Sequence, residues 1–105
     1  MTNVTVRADE QMTQAREASS GRSAYTAVHQ GRLRQTLIAL AAGSELAEHN
    51  APPAASLYVL RGRVRLAAGD ESSELAAGAL VPVPRSRHSL AALEDAVVLL
   101  TTVAD

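Results

Sequence analysis

Histidine is the residue type in this sequence best suited to chemistry near neutral pH, because an imidazole titrates at about pH 6.5. The chain has three histidines, His29, His49 and His88. It has no cysteine, which excludes thiolate nucleophiles, disulfides and Cys-ligated metal sites. The remaining possibilities for the histidines are proton transfer, hydrogen bonding and metal ligation, and their spacing in the sequence discriminates among these.

Other catalytic and binding signatures are missing from the sequence. Ser44, Ser86 and Ser89 lie outside any Gly-x-Ser-x-Gly motif, and no glycine-rich phosphate loop is present. Ten basic against eleven acidic residues leave no excess of positive charge, and aromatic residues make up only 2% of the chain. We therefore expect no nucleic-acid partner. The apolar runs are shorter than the roughly 20 residues of a membrane span, so we expect no membrane partner. The absence of cysteine favours a cytoplasmic protein.

The elements that must position the histidines are predicted to be short β-strands. Apolar runs broken by Gly, Pro and Asp predict an all-β domain over residues 23–105, as a sandwich or a barrel. The predicted strands are residues 23–28, 33–40, 45–49, 56–61, 63–68, 72–75, 80–83, 89–92 and 97–103. Residues 1–22 are predicted to form an N-terminal arm, with a short helix over residues 8–18 that either leans on the domain or is frayed. His29 falls in a predicted turn, where we expect it to be solvated.

Two glycine-punctuated blocks resemble the motifs of the cupins. The block from Gly43 to Gly62 resembles G-x5-H-x-H-x3-E-x6-G, and the block from Gly78 to His88 resembles G-x5-P-x-G-x2-H-x3-N. The positions that match are Gly43, His49, Gly62, Gly78 and Pro84. His88 follows Pro84 after a spacer one residue shorter than in the motif, and Ser86 stands at the position of the motif glycine. The resemblance covers roughly residues 33–103 and is to the small single-domain bacterial cupins. It implies an all-β fold, a single cupin-type double-stranded jelly-roll barrel with a short N-terminal helical arm.

The same resemblance bears on metal binding. Cupin metal sites use three histidines and a carboxylate, and His49 and His88 match two of those four positions. The other two fall on Ala51 and Ala55, whose methyl groups donate no lone pair. Because tightly held catalytic metals generally have three protein ligands, we expect no cofactor and no firm metal site. A divalent transition metal held weakly by His49 and His88 remains the alternative.

The residues expected to border a ligand cavity are His49, Tyr58, His88 and Gln35. Two functions are compatible with such a cavity. The first is a metal-free module that binds or senses a small apolar or weakly anionic molecule. The alternative is a small cupin enzyme, of the dioxygenase, isomerase or cyclase type, that uses His49 and His88 as metal ligands or as an acid–base pair. A purely structural role for the two histidines, as polar residues at the mouth of the barrel, is also open.

Two further expectations concern the surface. Arg61, Arg63 and Arg65 alternate along the chain and form either an anion-binding stripe or a solvated strand face paired with Glu71 or Glu74.

A homodimer is expected, because a chain of this length without large aromatics has little apolar area to bury and a second copy would cover exposed strand edges. Small cupins, which this sequence resembles, are often dimers.

Overall fold

The computed structural model describes the backbone of residues 1–49 and 52–104, and the side chains of residues 1–47 and 52–104. Within these residues it contains one helix, α1 (Val4–Glu17), and nine strands. The strands are β1 (Arg22–Gln30), β2 (Leu33–Leu40), β3 (Glu45–His49), β4 (Ala54–Arg61), β5 (Arg63–Ala68), β6 (Glu71–Ala76), β7 (Leu80–Pro82), β8 (His88–Ala92) and β9 (Ala96–Val103). The predicted all-β domain is confirmed, with every predicted strand present and only the ends shifted.

The strands form two antiparallel sheets that pack face to face. The first sheet has the order β1-β2-β9-β4-β7, and the second has the order β3-β8-β5-β6. Neighbours in each sheet are mostly distant in sequence, as in a jelly roll, where the chain crosses repeatedly between the two sheets. The crossings bring β3 and β8 side by side, so that the two strands carrying His49 and His88 become direct neighbours.

The main core lies between the sheets and follows from the alternation of side chains along each strand. Leu40, Val59, Val64 and Val98 are fully buried there. Val97, which precedes Val98 on β9, points to the opposite face of the first sheet and is equally buried. Both faces of the first part of this strand are therefore covered, which explains its continuous apolar sequence from Ala96 to Leu100.

Helix α1 covers part of the outer face of the first sheet. Ala8, Met12 and Ala15, at helical spacing, are buried against Leu37 and Val97. The predicted alternatives were a helix leaning on the domain and a frayed arm, and the structure has the former. The helix begins four residues before the predicted start, because the Asn3 side chain caps it by accepting a hydrogen bond from the Val6 amide at 3.0 Å. This helix is neither long enough nor apolar enough to cross a membrane.

Polar contacts fix α1 to the turn between β8 and β9. The Asp95 carboxylate accepts hydrogen bonds from the Ala42 amide at 2.8 Å and from Arg16 Nε at 2.9 Å. These two donors, the backbone amide first, lower the pKa of Asp95. Gly62 packs against the same turn with a φ of +77°, and a Cβ there would lie 2.2 Å from the Asp95 carbonyl oxygen. This close approach accounts for glycine at position 62.

Candidate functional site

A cavity lies between the two sheets, beneath the segment that leads into β8. Its lining consists of Ile38, Leu46, Leu57, Leu66, Val83, His88, Leu90 and Leu100. The cavity is partly open to solvent and leaves about 40 Å³ for the centres of water-sized molecules, which is room for about three waters. Seven of the eight lining side chains are apolar, so the space favours a small hydrophobic molecule.

His88 supplies the single polar side chain of this described lining. It is the first residue of β8, and only 5% of its surface is exposed. Its Nδ1 atom lies 3.1 Å from the carbonyl oxygen of Ser86. A carbonyl oxygen only accepts, so Nδ1 carries the proton, and in the neutral ring Nε2 is then the atom with a lone pair. The turn before β8 thus sets both the direction of the ring and its tautomer.

His49 is placed next to His88 by the pairing of β3 with β8. The two residues are Cα partners, after a shift of register between Leu46 and His49. The side chain of His49 and all of Ala51 lie outside the described residues, so the sequence predictions for them stay predictions. Ala55 lies within them, and it packs against the inner core from β4. The position where the family motif has a carboxylate therefore faces the interior with a methyl group.

Two residues predicted to border the cavity lie elsewhere, and the prediction for them is corrected. Leu57 and Val59 occupy the inward positions of β4, so Tyr58 between them faces outward and is 39% exposed. On β2, the inward position belongs to Ile38, and Gln35 lies on the outer face, where its Nε2 donates to Thr101 Oγ1 at 3.1 Å. Successive side chains of a strand lie on opposite faces of the sheet, and this alternation places both Tyr58 and Gln35 on the outer face.

The sequence predictions missed the leucines that make up most of the lining. Leu46, Leu66, Leu90 and Leu100 come from four different strands, and none was singled out. On β5, the alternation of Val64 and Leu66 with arginines does indicate which side chains are buried. This pattern does not distinguish a side chain in the packed core from one that lines a cavity.

The sequence matches no family model and no curated protein. Solved structures do match the fold. A conserved protein of unknown function from Streptococcus pyogenes gives a TM-score of 0.75 at 26% identity, over 84% of this chain and 78% of that one. A cupin superfamily protein from Desulfitobacterium hafniense gives a TM-score of 0.75 at 19% identity, over 80% of this chain and 78% of that one. The chain has the cupin fold.

The predicted resemblance to cupins is thereby confirmed at the level of the fold. An enzyme is also among the similar structures: salicylate 1,2-dioxygenase from Pseudaminobacter salicylatoxidans has a TM-score of 0.80 at 20% identity, over 93% of this chain and 33% of that one. Likeness at such identities shows a shared fold, and one fold carries many chemistries. What this chain does has to be argued from its own cavity.

The cupin fold implies a metal site, and the donors among the described residues do not fit one. Among the described residues, no three His, Asp or Glu side chains come close enough together to hold an ion. The lining offers one nitrogen, from His88, and Ala55 stands where the motif has a carboxylate. Of the four motif positions, His49 and His88 supply two imidazoles, where a tightly held metal generally needs at least three protein ligands.

The predicted arginine stripe is resolved into separate ion pairs. Arg65 pairs with Glu74 at 3.3 Å, as one of the two alternatives expected. Arg63 pairs instead with Glu94 at 3.4 Å, while Arg61 turns toward α1 and contacts Asp9 at 2.6 Å. The three guanidinium groups therefore form no common anion site.

His29 is exposed at the end of β1, as predicted, with its Nε2 at 3.4 Å from Arg34.

Proposed function

We propose that this cupin is a binding module that takes a small, mostly apolar molecule into the cavity between its sheets, without a tightly bound metal. The observation that carries this proposal is the lining itself, seven apolar side chains around the single buried imidazole of His88. Such a site gains affinity from burial of apolar surface and orientation from one polar contact. The proposed setting is the cytoplasm, which the cysteine-free composition favours.

The chemistry of His88 indicates which ligands would be preferred. A neutral imidazole can both donate and accept a hydrogen bond, so His88 suits a ligand with a hydroxyl group. In the protonated ring both nitrogens donate, which suits a weakly anionic ligand such as a carboxylate. A molecule with one such group and a compact apolar body fits the proposal.

Titration of the methyl resonances tests this function. Protein labelled at the Ile, Leu and Val methyl groups would be titrated with ethanol, acetate and propane, three probes of similar small size and different polarity. We expect shifts at the cavity methyls, such as those of Leu57, Leu66 and Leu100. The methyls of Leu80 and Val103, on the exterior, are the matched controls. Shifts at the exterior methyls alone, or none up to the solubility limit of the probes, would contradict the proposal.

A second candidate is an enzyme that uses His49 and His88 together. Two observations favour it: the two residues are Cα partners in the β3–β8 pair, and a similar structure is a salicylate 1,2-dioxygenase. Its metal-dependent form requires the untagged protein to retain a transition metal after dialysis. Its metal-free form requires both imidazoles to reach one bound substrate. Elemental analysis separates the metal-dependent form from the binding module.

A further inference from the structure

A second space adjoins the cavity at the open side between the two sheets. It lies where β1 and β3, edge strands of the first and second sheets, come together. We call it the vestibule, and it is lined by Ser20, Arg22, Ser23, Ala24, Ile38 and Leu46. It leaves about 420 Å³ for the centres of water-sized molecules, against about 40 Å³ in the cavity. The vestibule therefore has room for a much larger molecule than the cavity alone can hold.

Two residues belong to both spaces. Ile38 and Leu46 line the vestibule as well as the cavity. Ile38 is buried in the inner core, and Leu46 is partly buried against that core. Because the same two side chains border both spaces, the vestibule and the cavity adjoin at these residues. A chain that lies in the vestibule can therefore extend past them into the cavity.

Arg22 places a positive charge in the vestibule. It is the cross-strand partner of Leu40, which lies in the inner core, so its side chain leaves β1 on the inner face of the first sheet. Its Nη1 atom donates to the carbonyl oxygen of Glu45 at 2.8 Å, which holds the guanidinium group against β3. A guanidinium group has five N–H donors, so this contact leaves others for a ligand.

The charge of Arg22 is not balanced by a carboxylate in the part of the chain that the structure describes. The ion pairs found there involve other arginines, and none of the residues lining the vestibule is Asp or Glu. This distinguishes Arg22 from Arg61, Arg63 and Arg65, each of which contacts a carboxylate. Arg22 is therefore a positioned cation that suits an anionic ligand.

Ser20 adds a second donor beside Arg22. Its Oγ accepts a hydrogen bond from the Arg22 amide at 3.3 Å, which leaves the hydroxyl proton to be donated. Ser23 differs, because its Oγ donates to the side-chain oxygen of Gln11 on α1. A guanidinium group together with a hydroxyl group is a donor set that suits a carboxylate.

We propose that the ligand of this protein is an elongated carboxylate. Its charged end lies in the vestibule at Arg22 and Ser20, and its apolar chain passes Ile38 and Leu46 into the cavity. This inference rests on the proposed function, because the far end of the chain occupies the same cavity. A hydroxyl group at that buried end would meet His88.

The register of β1 and β2 gives the length of chain that the ligand needs. Ala24 is the cross-strand partner of Ile38, and Arg22 lies two residues before it on the same face of β1. Two residues along a strand span about 6.6 Å, so several carbon atoms must separate the carboxylate from the cavity. Octanoate has such a chain, whereas acetate is too short to occupy both spaces.

Titration of the methyl-labelled full chain with octanoate, octanol, acetate and propane tests this proposal. Octanoate should shift the methyl resonances of Leu46 together with those of Leu57 and Leu100 inside the cavity. It should bind at least about tenfold more tightly than acetate, because its chain buries more apolar surface. Arg22→Gln removes the charge but keeps a donor for the Glu45 carbonyl. This variant should weaken octanoate about tenfold and leave octanol and propane unchanged.

A matched control lies at the other end of β1. Arg32 is exposed in the turn that follows this strand, so Arg32→Gln removes the same charge away from the vestibule and should leave octanoate binding unchanged. Unchanged binding of propane to Arg22→Gln also shows that this variant is folded.

The outcomes separate this inference from the proposed function. Propane in the cavity, with octanoate binding equally to the unmodified chain and to Arg22→Gln, would overturn the inference and leave the proposed function standing. Octanoate shifts at Leu46 without shifts at Leu57 and Leu100 would overturn it as well, by confining the ligand to the vestibule. If none of the four probes bound, both proposals would be wrong.

Discussion

His88 is buried in an otherwise apolar lining, and a polar group in such a place is costly unless it is hydrogen-bonded. The Ser86 carbonyl satisfies one ring nitrogen and fixes which nitrogen carries the proton. Position 55, where the cupin motif has a carboxylate, presents a methyl group to the interior. At the scale of single residues, the site therefore has a hydrogen-bonding group and an apolar surround, but few metal donors.

The residue-scale prediction concerns His88→Leu, which replaces the imidazole with an apolar side chain of similar size. We expect the affinity for ethanol to fall about fivefold, because one neutral hydrogen bond contributes about 1 kcal/mol, while the affinity for propane changes little. The measurement is the same methyl titration. His29→Leu, at an exposed position outside the cavity, is the control and should leave both affinities unchanged. Equal losses for ethanol and propane would mean that His88 only shapes the cavity.

At the scale of elements, the strands were predictable because apolar runs and turn residues mark them directly. Residues 33–40, 45–49 and 63–68 were predicted with the bounds that β2, β3 and β5 have. The direction of Tyr58 was not predictable, because β4 is apolar at successive positions and its sequence does not show which face is inward. That face is set by the register of β4 with β9, in which Leu57 and Val59 pair with the inward-facing Leu100 and Val98. The start of α1 was missed because Asn3 was not considered as a cap.

The element-scale prediction concerns the contact that fixes α1, through Asp95→Asn. At neutral pH the carboxylate accepts from the Ala42 amide and from Arg16, and its loss should lower the free energy of unfolding by about 1 kcal/mol, a value discounted because the side chain is 37% exposed. The pKa of Asp95 is lowered in the folded protein from an ordinary 3.8. Its stabilisation is thus fully present above that ordinary value and disappears as the pH falls through the lowered one.

Urea unfolding at a series of pH values measures this effect. The difference between the unmodified chain and Asp95→Asn should be constant from neutral pH down to about pH 5 and shrink on further acidification. Asp70→Asn, in the exposed turn between β5 and β6, is the control and should change stability by less than about 0.5 kcal/mol. A difference that persisted undiminished in acid would show that the ionised carboxylate is not the source of the stabilisation.

At the scale of the whole molecule, the two faces of the first sheet pack against different elements. The inner face, with Ile38, Leu57 and Leu100, walls the cavity, and the outer face carries α1. The two glycine-punctuated blocks were sufficient to predict the cupin fold and the strand that carries His88. They could not predict the cavity, because its lining is assembled from strands far apart in the sequence, and that assembly depends on the packing of the two sheets.

One crystallographic measurement tests the central claim, an apolar cavity without a firmly held metal. A crystal of the untagged protein, grown without added ligand and pressurised with xenon, gives anomalous signals for both xenon and transition metals. Small apolar cavities take up xenon, whereas hydrated polar sites do not. We expect a xenon peak among Leu57, Leu66 and Leu100, and no metal peak beside His88. A transition metal coordinated by His88, or a cavity filled by ordered water in place of xenon, would contradict the account.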